Sequence, residues 1–152
     1  MADIEPGGTV DFDFSGSLDL ARTLWSLAED LEAADRAREG KSTTALAKWK
    51  GPHATQFTQR RGDERTSAAN VAQGLRDDAR SWAAAWVEAM HQQNKNNRAA
   101  QVEQVRDDRW WGEKAWDATL GEDESESKVA TAERPSTPQP PSFQPTATLQ
   151  VF

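Results

Sequence analysis

Apolar positions recur with a helical period in two blocks of this chain. In the first, Leu20, Leu24, Leu27, Leu31 and Ala34 follow one another at spacings of four, three, four and three, a seam of the coiled-coil kind. Ala21 and Ala28 widen the seam on one side, and Trp25 lies farther round on that side. Ser15 or Ser17 is placed to cap this helix, and Asp19 falls in its first turn, where the helix dipole favours negative charge. Gly40 predicts its end. A short helical piece follows, capped by Ser42, with Ala45, Leu46 and Trp49 on one face. Gly51 then breaks the chain direction, and Pro52 suits the first turn of a new helix because its missing N–H costs nothing there. In the second block Phe57, Ala68, Val71, Ala72, Leu75, Ala79, Trp82, Ala83, Trp86, Ala89 and Met90 fall mostly on one broad face. Gly62 and Gly74 weaken this helix by about 1 kcal/mol each relative to Ala. The polar run Gln92-Gln93-Asn94-Lys95-Asn96-Asn97 predicts its fraying or its end. At 1.5 Å per residue, residues 52–94 would span roughly 65 Å and the first helix with its short piece roughly 45 Å, lengths that suit an antiparallel hairpin.

The flanks read differently. Val10, Phe12 and Phe14 alternate with Asp11 and Asp13 in the strand period of two. A lone short strand has nothing to pair with, which favours an extended arm over 1–16 with its aromatics resting on the helices. Residues 98–118 carry Val102, Val105, Trp110, Trp111 and Trp116 among many charges, a helical extension of the 17–97 hairpin. Beyond Gly121, the acidic run and Pro135, Pro138, Pro140, Pro141 and Pro145 predict a flexible tail over 119–152, since such a composition buries too little apolar surface to offset its ordering entropy. The predicted fold class is all-α: a long antiparallel helical hairpin with a disordered acidic, Pro-rich tail.

Two helices cover only one stripe of each other, and both carry wider apolar faces. Leu20, Leu24, Trp25, Leu27 and Leu31 on the first helix, with Phe57, Val71, Leu75, Trp82 and Trp86 on the second, form the expected packing and dimer face. A second hairpin laid alongside would bury it as a four-helix bundle. The alternative is a monomeric three-helix bundle in which residues 98–118 fold back.

Composition narrows the function. The chain has 152 residues, 36% of them hydrophobic and 28% charged, with a net charge of -7. An acidic chain lacks the basic surface that general nucleic-acid binding needs. There is no Cys, which excludes disulfides and thiolate metal sites. The N-terminus lacks the basic and apolar regions of an ordinary secretory signal, and no window approaches about 18 apolar residues, so no membrane insertion is expected. His53 and His91 lie far apart, each without a metal-binding partner one turn on, so no metal and no cofactor is expected. Asp77-Asp78 and Asp107-Asp108 are adjacent pairs that point about 100° apart on a helix, unsuited to an acid–base dyad. With no phosphate-binding Gly loop and no nucleophile elbow, no enzymatic activity is expected.

The corner Trp49-Lys50-Gly51, following a Leu-rich amphipathic helix and opening a second long one, resembles the WXG family of small helical-hairpin proteins of type VII (ESX-like) secretion systems. The resemblance covers roughly residues 10–100. It implies hairpins that pair as homodimers or heterodimers, export of folded pairs from the cytoplasm without a cleavable signal peptide, and recognition by a secretion ATPase of the FtsK/SpoIIIE type. Trp49 and Gly51 match the family corner. Gly allows a tight bend there, while the Trp either plugs the junction or serves as a recognition handle. The Tyr-x-x-x-Asp/Glu export signal of the family has no counterpart, because the chain has no Tyr. Leu149, Val151 and Phe152 are similar in position and character to the apolar tail that docks on the ATPase in some members. The resemblance thus implies a type VII substrate or partner; the alternative is an intracellular coiled-coil structural or adaptor protein with no export role.

Overall fold

A computed structural model of the chain describes residues 3–109, 112, 115 and 125–145. Two long helices dominate: α1, Phe14–Leu46, and α2, Pro52–Asp108, joined by a short turn. A single turn of helix, α3, Ser125–Lys128, follows. The described residues form no strand; Gln139 and Gln144 make an isolated antiparallel bridge. The predicted all-α helical hairpin is therefore present, with elements longer than the periodicity implied.

Helix α1 is continuous over 33 residues and neither stops at Gly40 nor restarts at Ser42. Gly40 has no neighbour within 4 Å of where a Cβ would stand, so the glycine costs only its helix propensity. Ser42 does not cap a new helix. Its hydroxyl donates to the Arg38 carbonyl one turn back at 2.8 Å, and Thr43 and Thr44 do the same to Glu39 and Gly40 at 3.0 Å each. The helix also begins earlier than Ser15 or Ser17 would allow. Asp13 immediately precedes the first helical residue, the N-cap position, and Ser17 is a buried interior residue.

Helix α2 runs for 57 residues through Gly62, Gly74 and the whole polar run. Residues 98–108 therefore extend α2 and do not fold back as a third helix. The amides of the polar run stay compatible with a helix because they bond one turn on: Gln92 Nε2 to Asn96 Oδ1 at 3.1 Å and Gln93 Nε2 to Asn97 Oδ1 at 3.0 Å. Engaged in this way, they do not compete for the helix backbone.

The contacts divide the chain into two compact units, 15–84 with 138–144, and 1–14 with 85–137 and 145–152. In the first, α1 packs antiparallel on residues 52–84 of α2. Its seam is lined by small residues: Ala21, Ala28, Ala72 and Ala79 are fully buried. Arg61 meets Glu39 and Arg65 meets Asp35 across the seam. With Arg76 pairing with Glu32, these contacts run in antiparallel order along the two helices. Alanine lets the two backbones approach closely, and the leucine seam read from the sequence is not the line that closes.

In the second unit residues 3–13 precede α1, so the expected arm over 1–16 ends at Asp13; a turn is closed by Gly8 N–H donating to the Glu5 carbonyl at 2.9 Å, and Phe12 stacks edge-on against Phe14 at 5.1 Å. The arm is held through its backbone by the polar run. Within the expected tail, residues 125–145 make specific contacts. Arg98 donates to the carbonyls of Glu126 and Ala130 at 3.2 Å each, and Asn94 to that of Glu133 at 2.9 Å. Phe143, farther on, is fully buried in the first unit. Burial of that ring offsets ordering entropy which composition alone counts as unopposed. The rest of the expected tail, 119–124 and 146–152, lies outside the described residues.

Candidate interaction surfaces

The corner is built by backbone geometry. Gly51 has φ +106° with nothing within 4 Å of a Cβ position, so the glycine is required by conformation and not by crowding. Its carbonyl accepts from the N–H groups of Ala54 at 3.1 Å and Thr55 at 3.2 Å, opening α2. The Trp49 ring lies 5.6 Å from that of Phe57 and remains 42% exposed. It covers one side of the junction and offers the other to solvent.

On the hairpin unit the alanine seam separates two sides with different chemistry. At 100° per residue, Leu20, Leu24, Leu27 and Leu31 fall to one side of the Ala21–Ala28 line. Phe57, Val71, Leu75 and Trp82 fall to the matching side of the Ala72–Ala79 line, and the antiparallel arrangement brings these two rows together. Leu27 and Val71 are more than half exposed, at 52% and 55%, and Leu20 and Trp82 are also exposed; Leu24, Leu31, Phe57 and Leu75 are half-buried. Trp86 falls to the same side by rotation but is buried, and it lies in the part of α2 assigned to the other unit.

Trp25 leaves that face, because it lies on the opposite side of the seam. The guanidinium carbons of Arg76 and Arg80 each sit 5.3 Å from its ring centre, and its Nε1 donates to Glu29 at 3.1 Å. Phe143 meets it edge-on at 5.8 Å between centroids. Arg22, one turn N-terminal, pairs with Asp19 and donates from Nε to the Ser142 carbonyl at 2.7 Å. This side of the hairpin is thus filled by residues 138–144.

Two arginines tie the helices ionically. Arg61 is buried and donates to the Asp35 carboxylate at 2.5 Å and to the Asp35 carbonyl at 2.9 Å. Its Nε and Nη1 have no hydrogen-bond partner and rely on longer ionic contacts to Glu39 at 3.8 Å and Glu64 at 3.6 Å. The Asp35 hydrogen bond raises the Arg61 pKa against the opposing effect of burial. Arg76 grips Glu32 through both carboxylate oxygens, at 2.6 and 2.9 Å. That hydrogen-bonded pair raises the Arg76 pKa and holds the Glu32 carboxyl below its ordinary value of 4.5.

In the second unit the polar run acts as a receptor for main-chain groups. Gln93 accepts from Val10 N–H at 2.7 Å and donates to the Gly8 carbonyl at 3.1 Å. Asn96 donates to the same carbonyl at 3.1 Å, accepts from Glu5 N–H at 3.3 Å, and presents its own carbonyl to Gly7 N–H at 3.2 Å. Both side chains are buried. Farther along, a cavity of about 570 Å³ is lined by Ile4, His91, Lys95, Arg98, Val102 and Glu126, among others.

Sequence reasoning missed Gln93, Asn96, Asp35, Arg61 and Phe143. The signals were an amide cluster inside a helix and a lone aromatic among prolines. The expected tail-recognition residues Leu149, Val151 and Phe152 lie outside the described residues. Among the described residues, no three His, Asp or Glu side chains gather as a metal site, and no helix is long and apolar enough to cross a membrane. No family model, no curated protein and no solved structure matches the chain.

Proposed function

We propose that this chain is a pairing module whose hairpin docks a second helical hairpin, from its own kind or a different chain, as a small substrate or partner of a type VII (ESX-like) secretion system. The observation that carries the pairing is the apolar row formed by Leu20, Leu27, Val71 and Trp82, exposed although the helices beneath it are already closed by alanines. A row of that kind is covered most simply by another pair of helices. The export role is supported by the Trp49-Gly51 corner, which lies at the junction of two long helices with Trp49 half presented to solvent. A secretion ATPase of the FtsK/SpoIIIE type would then read the apolar chain end, Leu149, Val151 and Phe152. With no Tyr in the chain, the aromatic export signal would come from the partner.

Native mass spectrometry of the chain, alone and mixed with hairpins encoded beside it, tests the pairing. A two-hairpin species is expected, lost at least tenfold in affinity when Leu20 and Leu27 are both replaced by Glu, with helicity unchanged. A monomer in every mixture overturns the reading. Removing residues 149–152 separates the export role from an intracellular adaptor: loss of export or of ATPase binding with the fold intact supports the first, and no change supports the second.

A further inference from the structure

On the side of the hairpin away from the exposed leucines, residues 138–144 behave as a bound peptide. The segment closes on itself: Phe143 N–H donates to the Gln139 carbonyl at 2.6 Å, Ser142 Oγ donates to the same carbonyl at 3.3 Å, and Gln139 bridges Gln144. It belongs by its contacts to the hairpin unit, whereas the residues on both sides of it belong to the other. Its grip on the hairpin is an anchor and a clasp. The Phe143 ring is completely buried against Trp25, and Arg22 holds the Ser142 carbonyl. Pro138 is also fully buried. Phe143 has φ +45°, a conformation that a residue with a Cβ adopts only when its surroundings over-determine it. The ring's socket therefore holds the backbone in a shape it would not choose alone.

We propose that the Trp25–Arg22 side of the hairpin is a docking site for a proline-rich turn anchored by a phenylalanine, filled here in cis, and that the same seven residues of a second copy occupy it when the cis turn is absent. The chemistry is explicit in the contacts. The Trp25 ring, with the guanidinium groups of Arg76 and Arg80 over it, meets the phenyl ring edge to face, and a third guanidinium, that of Arg22, takes a main-chain carbonyl. The hydrogen bonds within the turn offset part of the ordering that binding requires, and the buried ring supplies the rest. Tethering raises the effective concentration of the cis turn to the order of millimolar, so free peptide competes poorly with it in the intact chain. This site is separate from the leucine row and does not rest on the pairing reading.

The test uses the full chain carrying Phe143→Ala, which empties the socket, and a synthetic peptide spanning residues 134–145. Calorimetry is expected to show saturable 1:1 binding of the peptide to this variant. At least tenfold weaker binding is expected to the wild-type chain, with none for the peptide carrying Ala at 143. Equal binding to both chains, or no binding to the variant, overturns the proposal. A second measurement mixes Phe143→Ala with Trp25→Ala, each also carrying Leu20→Glu and Leu27→Glu so that the leucine row does not contribute. One variant offers a socket and the other a free anchor. A complex in the mixture and in neither component alone supports trans docking; its absence, with both variants helical by circular dichroism, overturns it.

Discussion

The two halves of α2 hold their neighbours by opposite means. From 52 to 84 the helix meets another helix through flush alanines and reaches past them with Arg61 and Arg76 to specific carboxylates. From 85 onward Gln93, Asn96, Asn94 and Arg98 bond to carbonyl and N–H groups of the main chain. The first mode depends on side chains in both partners, in register over several turns. The second reads backbone, and its demand on the held sequence is conformational: Gly7 has φ +70°, and a Cβ on Gly8 would stand 2.8 Å from that of Glu5. A helix can therefore select side chains along one stretch and backbone conformation along another, depending on whether its inward positions are small or amide-bearing.

The contrast is most open to attack at the seam. Ala28→Leu forces the helices apart, because overpacking a close contact costs about 1–3 kcal/mol. Urea unfolding should register that loss, whereas the same change at Ala34, which is exposed, should leave the midpoint unmoved. An equal response at both positions would mean that the alanines do not close the hairpin.

A smaller effect is expected in the backbone-reading half. Gln93→Ala removes a donor and an acceptor from the arm, at about 1 kcal/mol for net hydrogen bonding. Its clear readout is local: amide hydrogen exchange at residues 5–10 should quicken while exchange in the seam is unchanged. Replacing Val10 by another non-proline residue should do little, because Gln93 bonds its N–H and not its side chain.

Acid gives the smallest change and sharpens the ionic part of the comparison. Glu32 is held below its ordinary carboxyl pKa of 4.5, chiefly by its hydrogen bonds to Arg76. A lowered folded-state pKa means that the stabilisation is fully present above 4.5 and is lost as pH falls through the lower folded value. Thermal midpoints followed downward from pH 4.5 should fall less steeply in Glu32→Gln than in the wild type. Because the pair is partly exposed, solvent and salt screen it, and the difference should shrink further in high salt. Parallel curves for the two chains would remove Glu32 from the ionic tie.

Much of the helical core was legible. Spacing revealed two helices, the Gly51-Pro52 turn and the apolar residues along each side, since helical period and backbone-specific residues are local properties. The polar run and Gly40 misled because propensity is a weak local preference. At Gly40 nothing opposed continuing the helix, and at 92–97 the amides found partners elsewhere, some of them more than 80 residues away in sequence. The candidate surface was half legible. Eight of its ten apolar residues fall in one row on the hairpin unit, while Trp25 meets Phe143 on the opposite side and Trp86, buried, lies in the part of α2 assigned to the other unit.

By itself, then, the sequence determined that this is a helical hairpin with a glycine corner and a surplus of apolar surface, because those features follow from repeat, rotation and allowed φ values. Only the tertiary structure decided that alanines and not leucines form the seam, since two stripes of one helix compete for the same contact and close approach favours the smaller. It also decided that Phe143 fills the Trp25 side, a contact between residues far apart in sequence that no local pattern encodes.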